Sequence, residues 1–279
     1  MLFRSERIIL GLPDLNHGIP DKLHLFYSSF SSNIITMSLE SAELAKLSIN
    51  FFLAADVTVT NILASLSETT GASWSDIRLA LQSDQRIGRF RYLHPGLGIS
   101  GGNLPRDIAS LETLMFSQSI PSTSFFTAIR QLSNFSKSWP FEVFIRYGLR
   151  SDIHESILII GYGYKAGSDS IYGSPSIQLI DSLLDIDSMH KNIYIYDETS
   201  HVNSFQHPTV RNVRSDETGI FSEISTVFYM YHSEKNFAYF QRISKYLVPG
   251  TLIIDACGKL KSIFVDRVDL QYISRGEGF

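Results

Sequence analysis

Residues 39–70 contain neither glycine nor proline, and apolar side chains recur through them at helical spacing. Glu40 and Glu43 lie in the first turn of this stretch, where they favour the positive end of a helix dipole. Gly71 follows the last apolar residues and is typical of a helix C-cap. The sequence therefore predicts one helix of about 30 residues, about 45 Å long. Such a length exceeds what a small domain needs, and we expect this helix to span a domain or dimer interface.

The composition indicates a soluble globular protein. A chain of 279 residues is long enough for two domains, and 44% of its residues are hydrophobic. The net charge is −4, without a basic tract, which argues against nucleic acid as a partner. Cys257 is the single cysteine, and the longest apolar run, residues 157–163, is far short of a membrane span. Because the N-terminus also lacks a signal-peptide core, we expect a cytoplasmic protein that does not enter a membrane.

The first 150 residues are predicted to be mostly helical. Residues 6–12 form the exception, since they favour a short buried strand that Pro13 ends. No other strand-like run is apparent before residue 150, so we interpret this strand as the last part of a sheet that begins upstream of Met1. Further helices are predicted from a capping box at Ser73 to about Leu81, and over 105–117, 122–136 and 138–148.

Beyond residue 150 strands and helices alternate. Strands are predicted over 157–161, 192–197, 226–231 and 251–255, and helices over 173–185 and 235–246. This alternation is typical of a Rossmann-like parallel sheet. The predicted fold class is α/β overall, with an all-α central domain followed by a Rossmann-like α/β domain.

The glycine-rich segment Gly96-Leu-Gly-Ile-Ser-Gly-Gly-Asn-Leu-Pro-Arg-Asp107 is the strongest candidate for a binding loop. Its glycines lead directly into a helix start, which suits a backbone that wraps closely around a ligand. Lys46 and Asn50 are four residues apart on the long helix and leave it on one face. A lysine and an amide held this way can position a water or stabilise an oxyanion. The alternative is a solvated pair on an exposed helix face.

Other candidates have structural alternatives of comparable weight. Asp107 could complement a helix dipole, and Asn103 is best explained on its chemistry as an N-cap. Residues 161–167 and Asp197 form a loose dinucleotide fingerprint, for which a tight β–α turn without ligand is the alternative. No histidine or cysteine spacing predicts a metal site.

Four motifs in order resemble the UDP-glucose/GDP-mannose dehydrogenase family. Residues 41–54 are similar to its central-helix signature, and Asp84-Gln-Arg-Ile-Gly88 to its D-x-R-I-G motif. The glycine-rich segment resembles G-x-G-x-G-G-x-C-x-x-K-D, with Asn103 in place of cysteine and Arg106 in place of lysine. Residues 163–175 look like the start of its C-terminal domain, which binds UDP.

The resemblance implies specific roles for residues of this chain. Lys46, Asn50 and Asp107 would hold and activate the catalytic water, with Asn103 at the nucleophile position. The implied contacts to the sugar nucleotide are made by Arg86, from a neighbouring subunit, and by Gly96, Gly98, Gly101, Gly102 and Lys165; Arg106 would contact the cofactor. Family members oxidise a sugar C6 hydroxyl with NAD, through intermediates bound to the cysteine.

Three departures and one missing domain oppose full activity. Asn103 cannot form a thioester, Tyr172 stands where the family has an arginine near NAD, and Cys257 replaces the arginine of a D-G-R motif. The resemblance also implies that this sequence contains only the last part of the family's NAD-binding domain. The domains implied are a remnant of it at 1–35, a helical dimerisation domain at 36–150 and a sugar-nucleotide-binding domain at 151–279.

Two functions are therefore open. The first is a homologue or fragment of an NAD-dependent UDP-sugar 6-dehydrogenase, dimeric through helix 39–70 and acting on a UDP-sugar or similar nucleotide sugar. The alternative is a non-catalytic module that binds a sugar nucleotide or only a partner subunit.

Overall fold

The chain begins with a small parallel βαβ unit. In the computed structural model, which describes residues 5–148, 155–168, 170–186, 191–199, 207–217, 219–265 and 267–278, β1 (Ile8–Leu12) pairs with β2 (Ile34–Ser38), and α1 (Asp21–Ser28) connects them. The expectation of a single strand before residue 150 is wrong. The second strand was missed because its five residues lead directly into the next helix, whose N-cap is Ser38. The domain boundary expected after residue 35 lies inside β2.

The long helix is confirmed. α2 (Leu39–Thr70) has 32 residues, and the Ser38 hydroxyl accepts a hydrogen bond from the N–H of Ser41 at its start. Gly71 ends it in the left-handed region at φ 73°, as the sequence predicts for a C-cap. Ser38 as N-cap and Gly71 as C-cap thus account for the start and the end of the helix.

Three further helices pack around α2. They are α3 (Trp74–Ser83), α4 (Asn103–Ser117) and α5 (Thr123–Val143), and a π-helical turn at Phe144–Gly148 continues α5. The two helices expected over 122–148 are therefore one, and Pro140 lies inside it. Proline removes a helical hydrogen bond, but here Trp139 and Pro140 are both buried, and Trp139 packs in the core of the following domain. This packing outweighs the local preference for a break.

The second half of the chain is a six-stranded parallel sheet with flanking helices, which confirms the predicted fold class. Its strands are β3 (Glu155–Ile160), β4 (Lys191–Tyr196), β5 (Val210–Asn212), β6 (Ile224–Tyr229), β7 (Leu252–Asp255) and β8 (Gln271–Ser274); its helices are α6 (Pro175–Leu184) and α7 (Glu234–Ile243). The order β5-β4-β3-β6-β7-β8 is the doubly wound order of a Rossmann sheet. The strand order reverses between the parallel neighbours β3 and β6, which is the topological switch point. The edge strands β5 and β8 were not predicted, because each has only three or four residues.

Both faces of this sheet are covered. Ile157 and Ile159 of β3 pack in one apolar cluster with α5 and α6, whereas Leu158 and Ile160 pack in another with α7. A strand buried on both faces is apolar throughout. This explains why the residues of β3 are continuously apolar: the strand lies at the centre of the sheet and is covered on both faces.

A buried ion pair joins the two halves of the chain. Glu68, near the end of α2, accepts hydrogen bonds from Trp139 Nε1 at 2.8 Å and from the N–H of Gly276 at 2.7 Å. Arg275 Nη1 lies 3.6 Å from Glu68 Oε1, and the arginine stacks over the Trp139 ring. Burial lowers the pKa of Arg275 to about 10. The segment after β8 is thus fixed on α2, which spans the interface between the two domains.

Among the described helices, α2 is long and apolar enough to cross a membrane by length and composition, with a mean hydropathy of 1.5 over its most apolar window. Several of its polar side chains are nevertheless engaged within the domain. Thr60 Oγ1 donates to the carbonyl of Tyr92, and Asn61 Oδ1 accepts from the N–H of Gly96. One face of the helix is therefore packed against the rest of its domain.

The junction gives a stability prediction. Glu68→Gln leaves the buried guanidinium of Arg275 without a counter-charge, and we expect the free energy of unfolding to fall by about 3 kcal/mol. Glu217→Gln is the matched control, because Glu217 pairs with Arg211 at the surface and should cost about 1 kcal/mol or less. Urea denaturation followed by circular dichroism measures both. Equal losses in the two variants would contradict a special role for the junction.

Candidate functional site

Lys46, Asn50 and Asp107 meet at the crossing of α2 and α4. Lys46 Nζ and Asn50 Nδ2 each donate to Asp107 Oδ2 at 2.6 Å. Arg106 donates to the other oxygen of the same carboxylate, from Nε at 3.1 Å and from Nη2 at 3.0 Å. The shared face of Lys46 and Asn50 is therefore confirmed. Both side chains are hydrogen-bonded, although Lys46 is also 62% exposed, as the alternative of a solvated pair expects of the lysine. Their chemical roles stay predictions.

The carboxylate of Asp107 is buried and ionised. The Lys46 hydrogen bond, with those of Arg106 and Asn50, lowers its pKa to about 2 although burial acts the other way. Asp107 lies in the second turn of α4, beneath α2, so the expectation that it complements the helix dipole from the first turn is wrong. Two cations face one carboxylate here, which leaves a net positive charge beside donors that are held in place. Such a group can bind an oxygen atom of a ligand.

Two glycines of the candidate loop are required by contacts within the protein. Gly98 has a φ of 74°, and a Cβ there would lie 2.5 Å from the carbonyl oxygen of Ser133. Gly101 has a φ of 78°, and a Cβ would lie 2.7 Å from the ring of Tyr164. The N–H of Ile99 also donates to Ser133 Oγ at 2.8 Å. The loop is thus fixed between α5 and the second domain, and close approach to a ligand is not needed to explain these two glycines.

Asn103 is not the N-cap of α4. Gly102 already has helical dihedral angles (φ −91°, ψ −28°) and is the N-cap, so Asn103 becomes the first helical residue. Its side chain is exposed and makes no capping hydrogen bond. The capping interpretation is therefore wrong, because the helix starts one residue earlier than the sequence suggests.

The turn after β3 is stabilised by the chain's own carboxylate. Asp197 Oδ2 accepts from the N–H of Tyr162 at 2.5 Å, from that of Gly163 at 3.0 Å and from Tyr231 Oη at 3.0 Å. These N–H groups are the donors that a dinucleotide phosphate would need at this turn. The geometry therefore favours the alternative of a β–α turn that holds no phosphate.

A cavity of about 320 Å³ lies between the glycine-rich loop and the carboxyl edge of the sheet. It is next to the switch point between β3 and β6, where ligands of doubly wound folds bind. Its walls come from the loop, the turn after β3, the start of α6, the segments after β6 and β7, and one residue each of α2 and α4: Val57, 96–100, Leu104, Gly163, Tyr164, Pro175, Ser176, 230–232, Ala256 and Cys257. Val57 is two helical turns from Asn50, about 10 Å along α2. The apolar residue Val57 thus lines the cavity on the side nearest the polar cluster.

Of the remaining candidates, Cys257 lines the cavity, whereas Lys165, Arg86 and Tyr172 do not. Lys165 is exposed, with Nζ 5.4 Å from the centre of the Tyr164 ring. Cys257 lines the cavity, and burial raises the pKa of its thiol, so it is protonated at neutral pH. Arg86 is 90% exposed and paired with Asp84, and it does not contact the cavity or the polar cluster of its own chain. Tyr172 is exposed, and its carbonyl accepts from the N–H of Gly101.

Sequence reasoning missed two residues that support the site. Asn61 lies on the same face of α2 as Asn50, three turns further along, and holds the N–H of Gly96 at 2.8 Å. Its spacing from Asn50 is a signal that could have found it. Ser133, which holds the middle of the loop, has no comparable signal. Among the described residues no group of three histidine, cysteine, aspartate or glutamate side chains is placed to hold a metal.

The polar cluster gives a prediction about pH. Because Asp107 has a lowered pKa in the folded state, its contribution to stability is complete above its unfolded pKa of about 4. That contribution is lost as the pH falls towards about 2. We expect the urea midpoint of Asp107→Asn to change less than that of the wild type between these values. Asp216→Asn, at an exposed position, should keep the wild-type profile; a wild-type profile in Asp107→Asn would contradict the assignment.

Comparison with known proteins identifies the central part of the chain. Residues 40–134 match the central domain of the UDP-glucose/GDP-mannose dehydrogenase family. The chain is 28% identical over 278 residues to the UDP-glucose 6-dehydrogenase of Rickettsia bellii (strain RML369-C), covering 97% of this chain and 62% of that protein. It is 34% identical over 194 residues to the enzyme of that name from Rickettsia typhi (strain ATCC VR-144 / Wilmington), covering 68% of this chain and 42% of the relative.

A solved structure shares the fold. The UDP-glucose dehydrogenase from the hyperthermophilic archaeon Pyrobaculum islandicum superimposes with a TM-score of 0.76 at 19% identity, over 97% of this chain and 58% of the other. The chain thus spans about half the length of the proteins that it matches. Residues 40–134 are thus similar to the central domain of the UDP-glucose/GDP-mannose dehydrogenase family, and a six-stranded α/β domain follows them in the arrangement of the UDP-glucose dehydrogenase fold.

Proposed function

We propose that this chain binds a UDP-sugar or a similar nucleotide sugar, as the substrate-binding part of a nucleotide-sugar dehydrogenase. The observation that carries the proposal is the 320 Å³ cavity between the glycine-rich loop and the carboxyl edge of the sheet. Its position at the switch point, its partly apolar walls and the nearby polar cluster suit an elongated ligand with one polar end. The relatives named above are UDP-glucose 6-dehydrogenases, which agrees with this ligand class.

The proposed contacts follow the layout of the cavity. The loop backbone at Gly96 and Gly98 lines the cavity and would follow the diphosphate, with Gly101 and Gly102 continuing the loop. Lys165, which is exposed next to the cavity residue Tyr164, would supply a positive charge. Lys46, Asn50 and Asp107 then lie towards the sugar end. A lysine and an amide that are already hydrogen-bonded to one carboxylate need little reorganisation to hold a sugar oxygen or a water.

The described residues do not fit NAD. The family uses NAD, and a dinucleotide needs free N–H groups at a glycine-rich turn. At the turn after β3 those of Tyr162 and Gly163 are bound by Asp197. Gly11 lies within β1, where a Cβ would approach Ala42 Cβ and Leu39 Cα to 3.1 Å, and Pro13, which follows the strand, has no N–H. The turn after β3 therefore offers a dinucleotide no free N–H group at Tyr162 or Gly163.

A non-catalytic module is the second candidate, and Asn103 favours it. The resemblance implies that this residue stands at the family's nucleophile position, and it is an exposed amide at the start of α4. An amide cannot form the thiohemiacetal and thioester that the family uses. Cys257 does not replace it, because its buried thiol has a raised pKa. Formation of NADH from UDP-glucose by the purified protein would distinguish the enzyme from the module.

Ligand binding is tested by calorimetry with UDP-glucose. We expect Lys165→Met to weaken binding at least tenfold, because a charge-assisted contact to phosphate is lost. Lys245→Met is the matched control: Lys245 Nζ lies 4.9 Å from the centre of the Tyr246 ring, in the same local arrangement as Lys165, but away from the cavity. Absence of heat with UDP-glucose, or equal affinities of the two variants, would contradict the proposal.

We also propose a homodimer through helix 39–70. Phe52, Val59 and Leu66 recur every seven residues on α2 and are 63%, 54% and 56% exposed. A repeat of seven is typical of helices that pack against each other, and a contiguous apolar face of this kind marks an interaction surface. In such a dimer Arg86 would extend from one subunit to the ligand of the other.

Size-exclusion chromatography with light scattering tests the dimer. Val59→Glu places a charge in the centre of the apolar face, and we expect it to convert the dimer to a monomer. Val268→Glu is the control, since Val268 is 88% exposed and lies in the second domain. A wild-type monomer, or dimers in both variants, would overturn this assignment.

A further inference from the structure

A second, smaller cavity lies behind the candidate site. It has a volume of about 140 Å³ and is enclosed by α3, the residues before the glycine-rich loop, the turn after β7 and the segment after β8. Its lining comprises Trp74, Ser75, Arg78, His94, Pro95, Cys257, Gly258, Lys259, Lys261, Ser274, Arg275 and Glu277. Cys257 borders both cavities, so the two are neighbours.

Positive charge dominates the lining of this cavity. Arg78, Lys259, Lys261 and Arg275 face a single carboxylate, Glu277. Lys261 Nζ lies 3.8 Å from Glu277 Oε2, and Arg275 pairs with Glu68 outside the cavity. Neither Arg78 nor Lys259 has a carboxylate within ion-pair distance among the residues that the structure describes. The cavity therefore keeps an excess of cations that the chain does not neutralise.

Two arginines present donors without acceptors. Arg275 is 3% exposed, and its Nε makes no hydrogen bond with any described group, whereas its Nη1 faces the Glu68 carboxylate and its Nη2 donates to Ser65 Oγ at 2.9 Å. The buried Nε of Arg78 likewise makes no hydrogen bond with any described group. A buried donor left without an acceptor is costly, and such groups in native proteins are usually satisfied by a ligand, ion or water. An anion with several acceptor oxygens would satisfy them together.

The state of His94 agrees with a positive field. Arg78 Nη1 lies 3.0 Å from ring nitrogens of His94. Because a guanidinium is always a donor, the imidazole must accept and is therefore neutral. Burial and the nearby charges of Arg78 and Lys259 lower the pKa of His94. An anion bound beside His94 would raise the pKa of its imidazole.

We propose that this cavity binds a phosphate group. A cavity needs roughly 10–15 Å³ to hold one water, so 140 Å³ admits a tetrahedral oxyanion with several waters. Arg78 and Arg275 donate to its oxygens, while Lys259 and Lys261 balance its charge at the rim. The phosphate is either free inorganic phosphate or the phosphate of a nucleotide that extends from the neighbouring cavity. The assignment does not depend on the proposed function.

Calorimetric titration with inorganic phosphate, UMP and uridine at constant ionic strength tests the proposal. We expect saturable binding of phosphate or UMP that Arg78→Met weakens at least tenfold and Lys259→Met weakens severalfold. Lys259 is exposed, so its replacement leaves the fold intact if Arg78→Met does not fold. Lys235→Met, on the exposed face of α7, is the control and should bind as the wild type does.

The outcomes separate the sources of the phosphate. Binding of inorganic phosphate points to a free anion, whereas binding of UMP without inorganic phosphate points to a nucleotide phosphate; either supports the site if Lys259→Met weakens it. A rise of the His94 pKa on binding, followed by NMR, is a second expected result. Binding of neither ligand, or binding that both variants leave unchanged, overturns the proposal. Loss of UDP-glucose binding in Lys165→Met is a separate result and does not affect it.

Discussion

The contact between Glu68 and the segment at Arg275 and Gly276 is the constraint on which the rest of the structure depends. It places an ion pair out of water, where removing either partner leaves an expensive unpaired charge. The carboxylate also holds Trp139 Nε1 and the N–H of Gly276, so α2, α5 and the end of the sheet domain meet at one group. Together with the contacts of the loop to Ser133 and Tyr164, this contact sets the relative position of the glycine-rich loop and the sheet edge, and hence the shape of the cavity between them.

The site is organised by carboxylates that bind the chain's own donors. Asp107 accepts hydrogen bonds from Lys46, Asn50 and Arg106, while Asp197 accepts hydrogen bonds from backbone N–H groups of the turn after β3. In the first case charged donors remain in excess and can serve a ligand. In the second the donors are consumed, which removes one of the places where a doubly wound domain usually binds phosphate. The cluster around Asp107 is therefore suited to a ligand, whereas the donors of the turn at Asp197 are already satisfied within the protein.

The sequence predicted those features that local chemistry determines. The end of α2 follows from Gly71, and the meeting of Lys46 and Asn50 follows from their spacing of four. The errors concern features that depend on distant contacts. Pro140 does not break α5, because Trp139 and Pro140 are buried by another domain. Asn103 is not a cap, since Gly102 already adopts helical angles. The pairing of Glu68 with Arg275 joins positions 207 residues apart, and no local pattern reports it.

The length of α2 has a mechanical consequence. Lys46 and Glu68 lie on the same continuous helix, about 33 Å apart along its axis. A helix without glycine or proline has no position that favours a sharp kink, so its direction is shared by both ends. The Glu68 contact fixes one end, and at the other Lys46 and Asn50 must stay within hydrogen-bond distance of Asp107. The polar cluster and the junction between the domains therefore depend on one continuous element.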